Sequence, residues 1–145
     1  MKPVFVDLQE GHWDEVSEAL GVPLSQDLKG LSVVDEETGE LFAAALFNSW
    51  TKTSVCVHQY IKNPFVLKHG FYELIAEYVY VHNGRAIMYG VVPSTNEKAL
   101  KVDKNIGFEE VARLKDAVDF GVDMVVLELR KENCRFLPEE YRRAS

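Results

Sequence analysis

The chain is poor in several things, and each deficit removes a class of protein. It has two cysteines, Cys56 and Cys134, in 145 residues. That is too few to staple a small secreted scaffold. No apolar run in the sequence approaches the roughly 18 residues that a membrane-spanning helix needs. The opening MKPVFVDLQE lacks both the apolar core and the small-residue cleavage site of a signal peptide. Basic residues are in the minority: 16 Lys and Arg stand against 23 Asp and Glu, for a net charge of −7. A broad basic surface for nucleic acid is therefore excluded. Glycine and proline, at 9 and 5, form no low-complexity tract, and no internal repeat is visible. These deficits lead to the expectation of one soluble, cytoplasmic domain with no membrane and no nucleic-acid partner.

What is present reads as mixed α and β structure. Hydrophobic residues make up 47% and charged residues 27%, a globular balance. Val4 to Asp7 begins as a strand. Trp13, Val16, Leu20, Leu24 and Leu28 predict one or two short helices between about His12 and Lys29, broken near Gly21 and Pro23. Leu31 to Val34 and Leu41 to Phe47 form a hairpin around Thr38-Gly39. Ser54 to Ile61 is a further strand, with Val55, Val57, Gln59 and Ile61 on one face and Cys56, His58 and Tyr60 on the other. Phe71, Leu74, Ile75, Tyr78 and Val79 give a full helical stripe that stops at Asn83-Gly84.

Arg85 to Val92 is nearly all apolar and reads as a strand covered on both faces. Ser94-Thr95-Asn96-Glu97 reads as a capping box, in which Ser94 accepts from the Glu97 amide. The helix it opens is lined by Ala99, Val102 and Ile106 and ends at Gly107. Strands at Phe108 to Leu114 and Asp123 to Leu129 follow, joined across Ala117 to Gly121. A parallel crossover between 54–61 and 85–92 would hold a ligand beyond the strand ends, beside the helix that follows Gly70. Free backbone N–H groups and the helix dipole there favour an anion.

In residues 91 to 114, VVPSTNEKALKVDKNIGFEEVARL, Asn96 is followed by Ala99, and by Gly107 and Phe108 eleven and twelve residues on. That spacing, with the order of elements around it, resembles the GNAT superfamily of acetyl-CoA-dependent N-acyltransferases over roughly residues 31 to 130. More loosely, the chain resembles compact, motif-poor members encoded by tailed phages and prophages. The resemblance implies an α+β fold with a central, mostly antiparallel twisted sheet. One parallel strand pair is splayed for the cofactor, and helices lie on both faces. It implies a single domain over residues 1–130, with a charged C-terminal tail at 131–145 where Phe136, Leu137 and Tyr141 are available as anchors.

The same resemblance implies acetyl transfer from acetyl-CoA to a small-molecule or peptide amine by direct attack on the thioester. Acetyl-CoA would lie between the strands at 54–61 and 85–92. Tyr60 and Ile61 would present backbone groups to it, Lys68, His69 and Gly70 would receive its pyrophosphate, and Asn96 would contact it. Asn96 can equally serve the start of its own helix. Two departures from the family pattern stand out. The phosphate loop, KNPFVLKHG at residues 62 to 70, keeps only Gly70 of the expected glycines. Asp103 occupies the position, seven residues after Asn96, where the family often has a tyrosine that protonates the thiolate.

An ordinary Asp is ionised at pH 7, which leaves Tyr60, His58 and Tyr89 as the catalytic candidates, with Asp103 on a solvated helix face. Both departures also suit a rival reading, a GNAT-fold binding or assembly protein that has lost the transfer. No metal is expected, because Cys56, His58 and His69 make a poor zinc set. Tyr72 and Tyr80, off the apolar stripe, mark a contact surface and suggest a homodimer.

Overall fold

The computed structural model describes residues 1–143. Seven strands form one sheet in the order β1-β2-β3-β4-β5-β7-β6. They are β1 (Pro3–Asp7), β2 (Lys29–Asp35), β3 (Leu41–Asn48), β4 (Ser54–Ile61), β5 (Ile87–Pro93), β6 (Glu109–Asp119) and β7 (Val122–Arg130). Every neighbouring pair is antiparallel except β4 and β5. The helices are α1 (Glu10–Leu20), α2 (Phe71–Ala76), α3 (Glu97–Ile106) and the short α4 (Glu139–Arg142). Among the described residues no helix is long and apolar enough to cross a membrane.

Each face of the sheet is closed by its own apolar cluster. On one face, Val16 of α1 packs with Val34, Ala44 and Leu46 of β2 and β3. On the other, Phe71, Ile75 and Val79 pack with Val33, Phe47, Val55 and Met88. α3 covers the far end of that second face, where Ala99 and Leu100 meet Val92, Val125 and Leu127. Helices therefore lie on both faces, as the sequence implies.

One local expectation is narrowed and two are corrected. Only one helix forms between residues 10 and 28, because Gly21 takes a left-handed conformation (φ 65°) that ends α1, and no second helix restarts after Pro23. The cap of α3 is Asn96, whose Oδ1 accepts from the Ala99 amide at 3.2 Å. Ser94 does not cap; its Oγ accepts from the Asp123 amide at 2.8 Å and ties α3 to β7. The stripe through α2 changes phase because Glu77–His82 continues it as a π-helix. The wider turn brings Tyr80 inward. It is 3% exposed and its hydroxyl donates to the Leu129 carbonyl. Tyr80 is therefore core, not a contact surface.

After β7 the chain crosses back over the second face. Cys134 and Leu137 are each 1% exposed within its core cluster, with Phe136 packed against it. Arg135 fastens this segment to the end of α3, donating to the carbonyls of Asn105 at 2.7 Å and Ile106 at 2.8 Å. The last two residues of the 131–145 tail, Ala144 and Ser145, lie outside the described residues.

Candidate functional site

The site begins where the one parallel pair stops pairing. Only Ser54, Val55 and Cys56 of β4 are in register with Ile87, Met88 and Tyr89 of β5. Beyond that point β4 stays bonded to β3 as far as Ile61, and β5 stays bonded to β7 as far as Pro93. Each strand follows its outer neighbour, so the two diverge. The backbone groups that Val57–Ile61 and Gly90–Pro93 turn towards each other make no ladder bond among the described residues, and are left for a ligand.

The opening is a cleft of about 720 Å³, within the range of small-molecule sites. β4 contributes Val57, His58, Gln59 and Ile61, and β5 contributes Gly90 to Pro93. α1 reaches it with Ala19 and Leu20, α2 with Tyr72 and Ile75, α3 with Val102, Asp103 and Ile106, and the C-terminal segment with Cys134 and Phe136. The walls are mainly apolar.

Of the residues singled out in the sequence, His58, Ile61 and Asn96 line the cleft. His58 Nε2 lies 3.0 Å from Asn48 Oδ1, and burial pushes its pKa down, so the ring is neutral at pH 7. Tyr60 lies on the α1 side of the sheet, where its hydroxyl donates to Glu15 Oε2 at 2.9 Å. Tyr89 is beside Cys56 on that same side. Neither tyrosine lines the cleft. The Cys56 thiol is buried and pushed up to about 11 by that burial, which keeps it protonated. Among the described residues no group of three His, Cys, Asp or Glu could hold a metal.

The loop before α2 is a 3-10 helix, Pro64–His69, with Gly70 left-handed at its end (φ 93°). Several of its amides are already used. Those of Lys62 and Asn63 both donate to the Phe42 carbonyl, that of Phe65 to Asn63 Oδ1, and that of Val66 to the Asn63 carbonyl. The Lys62 ammonium pairs with Glu15 at 2.9 Å. Lys68 and His69 follow in the last turn, with the His69 ring stacked on Phe65. The loop thus offers side-chain cations more than a wrap of free amides.

Two cleft residues were misread from the sequence. Asp103 is not on a solvated face: it points into the cleft, and Gln59 Nε2 donates to its Oδ1 at 2.9 Å. Burial pushes its carboxyl up to about 6, against the opposing pull of that hydrogen bond. Tyr72 is not a surface residue either. Its hydroxyl donates to Gln59 Oε1 at 3.1 Å, and burial followed by the Asp103 charge pushes it up to about 12. Gln59, placed on a strand face from the sequence, was not singled out for the site, since a glutamine alternating with apolar residues on a strand carries no signal of its own.

No family model matches the sequence, nor does any curated protein. Solved structures do match. A mutant form of the spermidine/spermine N-acetyltransferase SpeG from Vibrio cholerae is similar with a TM-score of 0.70, at 13% identity, over 89% of this chain and 95% of that one. SpeG is also known as a dodecamer, similar with a TM-score of 0.67 at 13% identity over 89% and 94% of the two chains. A proposed acetyltransferase from Acinetobacter baylyi is similar with a TM-score of 0.67, at 19% identity, over 88% and 92% of the chains. A proposed acetyltransferase of the GNAT family from Desulfovibrio desulfuricans gives 0.67 at 13% identity, over 88% and 98%. The chain has the GNAT fold.

Proposed function

We propose that this chain is an N-acetyltransferase that moves an acetyl group from acetyl-CoA to an amine by direct attack on the thioester. The observation that carries the reading is the separation of β4 from β5 after Cys56 and Tyr89. It opens unpaired backbone beside an apolar cleft of about 720 Å³, which suits an amide-bearing pantetheine arm. Ile61 and the backbone of Tyr60 would meet that arm, with Asn96 at the start of α3. Lys68, His69 and Gly70 would receive the pyrophosphate, through side-chain charge more than through amides. Of the catalytic candidates, His58 lines the cleft, and Tyr60 and Tyr89 stand beside it on the α1 side of the sheet. A small-molecule or peptide amine suits a chain whose net charge is −7. The structural neighbours, acetyltransferases among them, support the reaction class.

Cytoplasmic action is part of the reading, supported by two cysteines that are both free and buried. So is a homodimer, supported by Val111, Leu114, Val118 and Phe120 exposed on the β6–β7 hairpin and by the dodecamer among the neighbours. Sedimentation velocity tests it: a single species near 16.5 kDa removes the dimer.

The deciding experiment is a thermal-shift titration with acetyl-CoA, with CoA and ADP as controls. Ligand at ~100 times its Kd stabilises the folded state by about 2.7 kcal/mol, or roughly 5–10 °C in Tm for a domain of this size. A shift larger for acetyl-CoA than for ADP is the expected result. An unmoved Tm at millimolar acetyl-CoA would refute the transferase and leave a GNAT-fold binding or assembly protein.

A further inference from the structure

Among the residues lining the cleft there is one carboxyl group, that of Asp103. Its Oδ1 is held by Gln59 Nε2 at 2.9 Å, and Gln59 Oε1 is in turn held by the Tyr72 hydroxyl at 3.1 Å. The three side chains come from α3, β4 and α2, so the chain of bonds joins the elements that wall the cleft. Oδ2 has no hydrogen-bond partner among the described residues. The other titratable groups in the cleft are Tyr72 of α2, His58 of β4, Cys134 of the C-terminal segment and Lys98 of the same helix. Burial keeps the tyrosine and cysteine protonated and the histidine neutral. Asp103, pushed up to about 6, exchanges a proton close to neutral pH.

We propose that Asp103 is the proton shuttle of this site, one carboxylate that takes a proton from the attacking amine and returns it to the departing sulfur. The inference rests on the N-acetyltransfer reading. As the amine lone pair adds to the thioester carbonyl carbon, the N–C bond forms and Oδ2 accepts one N–H proton. The C–S bond then breaks with its electron pair going to sulfur. The same proton passes from Oδ2 to the thiolate, giving amide and CoA thiol and restoring the carboxylate. A carboxyl raised towards the working pH is suited to transfer in both directions. Gln59 and Tyr72 are positioning residues. With Oε1 occupied by the phenol, only the NH₂ end of the amide faces Asp103, which fixes Oδ1 and leaves Oδ2 for the exchange.

The test uses acetyl-CoA with spermidine, tyramine and a lysine-containing peptide as acceptors, following release of the CoA thiol. Wild-type kcat should rise with pH through an apparent pKa of about 6. Asp103→Asn should lower kcat by about 10²–10⁴-fold and keep the acetyl-CoA thermal shift. Gln59→Leu and Tyr72→Phe should lower kcat less than Asp103→Asn does and move the rising limb to higher pH, because the Gln59 N–H favours the ionised form. Independently of turnover, carboxyl ¹³C NMR of Asp-labelled protein should show one group titrating near 6 that disappears in Asp103→Asn. The shuttle is overturned by an Asp103→Asn enzyme within threefold of wild type, by a limb that Gln59→Leu leaves in place, or by absence of that NMR titration. A wild type that acetylates none of the acceptors overturns the transfer reading, and the shuttle with it. An active wild type with an equally active Asp103→Asn sinks the shuttle alone.

Discussion

Replacing Leu137 with alanine tests whether the chain after β7 is part of the core or an appendage to it. Leu137 is 1% exposed and belongs to the same cluster as Phe71, Ile75 and Met88. Leu→Ala removes three carbons, a transfer loss of about 2.4 kcal/mol at ~0.8 kcal/mol per methylene. The cavity left behind adds to this. The anchors around Leu137 restrict collapse: Arg142 Nε donates to its carbonyl at 2.7 Å, and Arg135 fastens the preceding turn to α3. A total of about 3–4 kcal/mol follows, within the range measured for buried Leu→Ala changes. With an m-value of about 2 kcal/mol/M, the urea midpoint falls by about 1.5–2 M. Tryptophan fluorescence reads the transition, since Trp50 packs against Phe47 and Tyr78 in that core. A midpoint within about 0.25 M of wild type, or about 0.5 kcal/mol at that slope, would refute the reasoning and mark the segment as detached.

Other substitutions probe separate joints of the structure. Tyr80→Phe removes the buried bond from the tyrosine hydroxyl to the Leu129 carbonyl and should cost about 1 kcal/mol; an unchanged Tm would show that the bond contributes nothing. Asn96→Ala removes the α3 cap, for about 1 kcal/mol, and calorimetry should register the loss before any ligand is added. The pH dependence of stability follows from Asp103, raised in the folded chain from 3.8 to about 6. Protonation therefore stabilises the native state fully below pH ~4, and that contribution is lost as pH rises through about 6. Asp103→Asn, which does not ionise, should gain on wild type between pH 4 and 6, by on the order of 2–3 kcal/mol, and hold the gain above. A stability difference that does not vary from pH 4 to 8 would contradict the burial of this carboxyl.

Much of the fold was legible because local patterns agree with the tertiary result. Ser54 to Ile61 is a strand with the same bounds as the sequence predicts. The hairpin around Thr38-Gly39 forms, with Gly39 at φ 75° in the turn. The site was less legible. Asn96 emerged because its spacing to Ala99, Gly107 and Phe108 survives in the sequence, yet its visible work is to cap α3. Tyr80 was misplaced because a regular 3.6-residue period was applied to a helix that turns π-helical after Ala76, and Tyr72 because a polar atom on an amphipathic helix reads as solvent-facing until its partner is known. Asp103 was misread for the same reason, since the wall opposite it, Gln59, lies 44 residues away in sequence.

The sequence by itself determined the order of strands and helices, the single crossover after β4 and the acidic charge balance of the chain. These follow from periodicity, turn residues and composition, which act over a few residues. Only the tertiary structure decided where β4 leaves β5, because that depends on which outer neighbour holds each strand. It also decided the ionisation of Asp103. A carboxyl's pKa is set by the water it loses and the groups it meets, and both are fixed when α2, β4 and α3 close around one cleft.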